Sequence, residues 1–207
     1  MLTVTDNFEA EYRIKGSKFL SFINPCDTTK EAELRLGKIR DLHPRATHHC
    51  YAFRVGPSDL LEHSQDDGEP SGTAGLPILN TLRSAGLINS ILFVVRYYGG
   101  TKLGKSGLID AYGKSAASAI DASDLKKLVP TRQYTIHYSY EQQSLIDKLQ
   151  HTFNLITIDT IYTDTVKWTV ECQQSASQTF SNQLERHRHV MIDIEEGPAS
   201  YKVLHSS

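Results

Sequence analysis

Ile91-Leu92-Phe93-Val94-Val95-Arg96-Tyr97-Tyr98 is the most apolar stretch of the chain, and it runs directly into Gly99-Gly100-Thr101-Lys102-Leu103-Gly104-Lys105-Ser106-Gly107. An unbroken apolar run of this length, closed by glycines, is the pattern of a strand buried on both faces and central in a sheet. The segment after it, 107–122, is rich in Ala and Ser and suits a helix packed closely on that sheet. A second glycine-rich segment precedes the strand: Asp66-Asp67-Gly68-Glu69-Pro70-Ser71-Gly72-Thr73-Ala74-Gly75. Glycine loops that leave a strand and enter a helix let backbone amides approach a phosphate or an RNA backbone. Carboxylates facing such a loop can hold a metal or repel the wrong anion.

Upstream, 12–25 and 49–55 read as strands and 29–42 as a helix with Thr28 or Thr29 at its N-cap. The segment 73–85 reads as a helix interrupted by Pro77. Downstream, 121–127 reads as a helix end and linker, and we place a boundary near Pro130, giving domains 1–130 and 131–207. In the second domain Tyr134, Ile136 and Tyr138 alternate as in a strand. Leu145, Ile146, Leu149 and Phe153 then recur at helical spacing. Strands at 155–162 and 165–172, a helix over 175–187 and a strand at 190–195 stopped by Gly197-Pro198 complete a β-α-β-β-α-β, ferredoxin-like plan. It carries no catalytic constellation and reads as a scaffold or docking module.

The 207 residues carry 22 Lys+Arg against 24 Asp+Glu, a balance that argues against strong non-specific binding to nucleic acid. The charge is uneven, with 16 basic against 15 acidic residues through Pro130 and 6 against 9 beyond it. Any RNA contact therefore rests on a local patch in the first domain, and nothing points to DNA specificity. No apolar run is long enough to span a membrane, and no secretory signal is legible at the N-terminus, so we expect a cytoplasmic protein. Cys26, Cys50 and Cys172 are odd in number and far apart, which supports neither a disulfide framework nor a zinc ribbon.

The segment 99–106 satisfies the P-loop pattern GxxxxGK[ST] letter for letter, between a strand and a helix. In that reading Lys105 touches the β/γ-phosphates and Ser106 holds Mg²⁺. A P-loop domain also needs a parallel sheet with further βα units, and only a β-α-β-β-α-β module follows.

Together, Pro44-Arg45-Ala46-Thr47-His48-His49-Cys50-Tyr51-Ala52, the 66–75 segment and Val95-Arg96-Tyr97-Tyr98-Gly99-Gly100 resemble the YigZ/IMPACT family. Lys102-Leu103-Gly104, Gly107-Leu108, Ala111-Tyr112 and Gly16-Ser17-Lys18-Phe19 continue the likeness, which covers essentially the whole chain because bacterial members also carry a ferredoxin-like second domain. Ser106 stands where the family commonly has Gly, and Asp110 where it has a basic residue. The resemblance implies an α+β protein. Its first domain would be of the kind shared by a small-subunit ribosomal protein and domain IV of elongation factor G, and its second would be similar to that factor's domain V. The eukaryotic relatives regulate translation in amino-acid starvation, acting through an extra N-terminal domain.

Asp66, Asp67 and Glu69 have three readings: carboxylates for Mg²⁺, an Asx-turn ahead of Pro70, or recognition of a partner. His48 and His49 point to opposite strand faces. His48 shares a face with Cys50, which has a buried reading and, given a third ligand, a zinc reading. No nucleophile–base pair is legible, and we assign no catalytic residue, cofactor or metal. The expected function is non-enzymatic binding of RNA, the ribosome or a translation component. Arg96, Lys102 and Lys105 would meet phosphates, with Lys114 in the same basic patch, and Tyr97, Tyr98 and Tyr112 would offer ring faces. Gly99, Gly100, Gly104 and Gly107 would allow close approach, and Asp66, Asp67 and Glu69 would order the facing loop. The competing classes are a nucleotide- and Mg²⁺-binding enzyme using the 99–106 loop and a protein–protein regulatory module docking through the second domain.

Overall fold

The computed structural model describes residues 1–204. Its chain divides into two units, Met1–Lys127 and Leu128–Leu204. The first runs β1 (Leu2–Val4), β2 (Phe8–Ile14), β3 (Ser17–Pro25), α1 (Thr29–Leu42), β4 (His48–Val55), β5 (Leu61–Gln65), α2 (Gly75–Ser84), β6 (Ser90–Tyr97) and α3 (Gly104–Asp121). Five strands form one sheet in the order β2-β3-β6-β4-β5, with every pairing antiparallel. The apolar strand β6 is therefore central, as its uniform apolarity predicts. Its side chains still alternate. Leu92 and Val94 pack with α2 and α3, while Ile91, Phe93 and Val95 pack with Ala32 and Ile39 of α1. One helix covers one face of the sheet and two cover the other.

Local chemistry explains the elements. The Thr28 hydroxyl accepts the amide of Glu31 (3.2 Å) and starts α1 where the sequence predicts. The single strand expected over 12–25 is instead the hairpin β2–β3, because Lys15 and Gly16 both adopt positive φ (47° and 80°) and close a two-residue turn. Pro77 does not interrupt α2. It lies in the first turn, where a missing amide loses no intrahelical partner. The strands β1 and β5 were not read from the sequence: one is three residues long, the other a mainly polar sheet edge.

The linker expected over 121–127 is also replaced. β7 (Leu125–Tyr138) begins there, and its first residues pair with β1, Leu2 opposite Lys127 and Val4 opposite Leu125. From Thr131 onward β7 pairs with β9 (Val166–Gln173), which pairs with β8 (Ile156–Tyr162). β10 (Asp193–Leu204) pairs with β7. Counted within this unit, the strand order is fourth-first-third-second, the ferredoxin-like arrangement. Gly197-Pro198 does not stop β10, because an edge strand tolerates a proline's missing donor. The helices α4 (Gln143–Phe153) and α5 (Gln174–Arg186) supply Ile146, Leu149, Phe180 and Leu184 to a core shared with Tyr134, Ile136, Val170 and Trp168. The Trp168 indole donates to Thr157 Oγ1 (3.1 Å). Among the described residues no helix is long and apolar enough to cross a membrane.

Candidate functional site

The alternation of β6 decides what its last residues can do. Arg96 shares the parity of Leu92 and Val94, so its side chain enters the face covered by α2 and α3. It sits opposite Phe19 of β3 and His48 of β4. Its guanidinium lies between the rings of Phe19 and Tyr98, 5.4 and 5.3 Å from their centroids. Nη1 donates to Glu69 Oε1 at 2.6 Å, and the two side chains are only 6 % and 4 % exposed. Arg96, expected to face phosphates, is thus held in a buried ion pair. Removing either partner from such a pair strands a charge away from water.

Glu69 gathers more than Arg96. Tyr112 of α3 donates its hydroxyl to the same Oε1 (2.8 Å), and the Cys50 thiol has two acceptors within reach, the Asp66 carbonyl (3.0 Å) and the Tyr112 oxygen (3.3 Å). Burial pushes the Cys50 thiol well above its ordinary range. Burial also raises the Tyr112 phenol, reinforced by Cys50 and Glu69 beside it. Both keep their protons, as donation from the thiol and the phenol requires. Tyr112 is wholly buried, with its ring edge-on to Phe19, so the ring face expected for base stacking is not available. His48 Nδ1 donates to the Asp67 carbonyl (2.8 Å), which turns Nε2 toward Glu69 at 3.8 Å.

The other two carboxylates of the 66–75 segment hold backbone. Asp66 accepts the amides of Gly72 (2.8 Å), Ala74 (3.0 Å) and Gly75 (2.8 Å), capping the start of α2. Asp67, at φ 46°, accepts the His49 amide (2.6 Å) and pairs with Arg40 (3.1 Å). Of the readings of these acids, the structural turn is the one this geometry fills. Among the described residues no three His, Cys, Asp or Glu side chains gather as a metal-binding group.

The 99–107 segment behaves differently. Gly99 packs against the β2–β3 turn so tightly that a Cβ would overlap the Gly16 carbonyl and the Ser17 amide. Gly100 and Gly104 need glycine for positive φ, 86° and 73°, and face open space. Gly107 would bring a Cβ against Leu103 of its own helix. Lys102 and Lys105 are exposed, and neither makes an ion pair among the described residues. Lys114 is engaged by Asp110 one helical turn away (2.8 Å). The first turn of α3 has no side-chain cap. Tyr97 projects to the α1 face, where its hydroxyl meets His43 Nδ1 (3.0 Å). It does not join the loop surface. Tyr98, 45 % exposed, does.

A cavity of about 290 Å³ lies beside this loop, lined by Glu69, Pro70, Arg96, Tyr98, Leu103 and Leu108 together with the two lysines and Gly104. A larger trough of about 620 Å³ lies on the α1 side of β2 and β3, lined by Glu9, Glu11, Leu20, Phe22 and His43. It touches none of the glycine-segment residues. The antiparallel setting of β6 also removes the parallel sheet that P-loop chemistry needs.

Residues 15–120, spanning both glycine segments, β6 and nearly all of α3, match the Impact N-terminal domain. The chain belongs to the IMPACT family. It is 32 % identical over 201 residues to the IMPACT family member YvyE of Bacillus subtilis (strain 168), covering 96 % of this chain and 92 % of that protein. It is 37 % identical over 138 residues to the IMPACT family member YigZ of Escherichia coli (strain K12), covering 66 % and 68 %. The crystal structure of a hypothetical protein matches with a TM-score of 0.65 at 29 % identity, over 94 % of this chain and 95 % of that one. The likeness to that solved structure extends over both units of this chain.

Proposed function

We propose that this IMPACT family member is a non-enzymatic regulator of translation, engaging RNA, the ribosome or another translation component through the loop between β6 and α3. The observation that carries this reading is the pair Lys102 and Lys105, exposed and without an ion pair among the described residues, beside the start of an 18-residue helix. Backbone N–H groups at a helix start favour anions, and lysines beside them add mobile positive charge. The chain's net charge of −2 leaves attraction to such a local patch. Gly100 and Gly104 keep the loop backbone free of side chains. Arg96, Glu69 and Tyr112 support the loop from within.

The test is a titration against purified ribosomes and short RNAs at low and moderate salt, with Lys102→Ala/Lys105→Ala alongside. Loss of two phosphate contacts should flatten the slope of log K against log salt by roughly 1.4 and weaken binding. Unchanged affinity and slope in the double variant would sink the proposal.

A second reading, a protein–protein module, is favoured by β8. It lies at a sheet edge and exposes Ile158, Ile161 and Tyr162. Deleting residues 131–207 should then abolish partner capture; capture that survives the deletion rules this reading out.

A further inference from the structure

Resting on the reading that the β6–α3 loop meets RNA, we infer that the cavity beside it receives one unstacked base of a single-stranded RNA. The phosphates flanking that base lie on Lys102 and Lys105. The cavity, about 290 Å³, is at the small end for ligand pockets, the scale of one nucleotide unit rather than a folded helix. Its composition separates base from phosphate. Pro70, Leu103, Leu108 and the ring of Tyr98 supply apolar lining, and Glu69 lines the cavity with them. A phosphate placed there would lose water against apolar surface. A base would instead bury its rings against those walls and lay a face on Tyr98. Polar edges of the base find a carboxylate acceptor in Glu69 and a guanidinium donor in Arg96, both of which line the cavity. The positive charge stands where the phosphates would be, on the two exposed lysines that line the same cavity. A base paired in a duplex cannot enter without being unstacked.

The experiment is filter binding of the full chain to a short single-stranded RNA, to the same sequence in a duplex, and to the single strand carrying abasic sites. The inference predicts that the intact single strand binds roughly tenfold more tightly than either comparator. Tyr98→Ala should lower single-strand affinity by roughly tenfold, leave the salt slope unchanged, and make no difference with the abasic strand; Tyr98→Phe should restore binding. Tyr98 is partly exposed, so the variants are expected to fold, and thermal unfolding checks that. Equal binding of all three RNAs, with a salt slope still set by Lys102 and Lys105, overturns the base pocket and leaves the loop reading standing. No binding to any RNA by the folded protein overturns both.

Discussion

The two glycine-rich segments look alike in sequence and do opposite things. The 66–75 segment turns its charges inward: Asp66 holds three amides, Asp67 holds the His49 amide, and Glu69 neutralises Arg96. The 99–107 segment leaves both of its lysines in solvent. Charge in a loop becomes available to a partner only when the surrounding backbone has no orphan groups to satisfy. Around 66–75 the starts of α2 and of β4 supply donors, and the acids are drawn to them. Beside 99–107 no comparable acceptors draw the lysines in.

Substitutions can break or sharpen this contrast. Glu69→Ala should have the largest effect, about 3–5 kcal/mol of lost stability in urea unfolding, because Arg96 is left buried and unpaired. A loss below about 1 kcal/mol would mean that the pair is not held away from water. Asp66→Ala should lose about 2–3 kcal/mol and loosen the amides of Gly72, Ala74 and Gly75 in hydrogen exchange. Unaltered exchange there would deny the capping role. Tyr112→Phe removes the link between Cys50 and Glu69 while keeping the ring and should lose about 1 kcal/mol. The raised Cys50 thiol adds an alkaline test. Its contribution is complete below the ordinary thiol value of 9.0 and is lost as pH rises above it. Wild type should therefore weaken there more steeply than Cys50→Ala, and parallel pH profiles would contradict this. Lys102→Ala/Lys105→Ala should change stability by no more than about 0.5 kcal/mol while changing binding. A large stability loss in that variant would erase the distinction between the two segments.

Much of the fold was legible. The uniform apolarity of β6 marked the sheet centre, Thr28 marked the start of α1, and alternating periods marked the order of elements in the second unit. What was missed has physical causes. Leu125–Lys127 shows no alternation of its own and becomes strand only through pairing with Leu2–Val4, a long-range partner. The candidate site was half legible. Lys102 and Lys105 stand where a solvated loop puts them. The burial of Arg96 was hidden because β6 is apolar at both parities, so nothing in its composition says which face Arg96 takes. The only signal was register: Arg96 continues the series Leu92, Val94, and Glu69 is an acid with no local base.

Trp168 is the chain's one tryptophan, and it sits in β9 of the second unit. Excited selectively, its emission speaks for that unit alone, and the first 127 residues are dark. Tyr98→Trp would place a second emitter at the rim of the cavity, over the Arg96 guanidinium, on an aromatic body that keeps the stacking surface. In a Trp168→Phe background, light from that position would come from the β6–α3 loop and nowhere else, so the loop would report its own occupancy without a label.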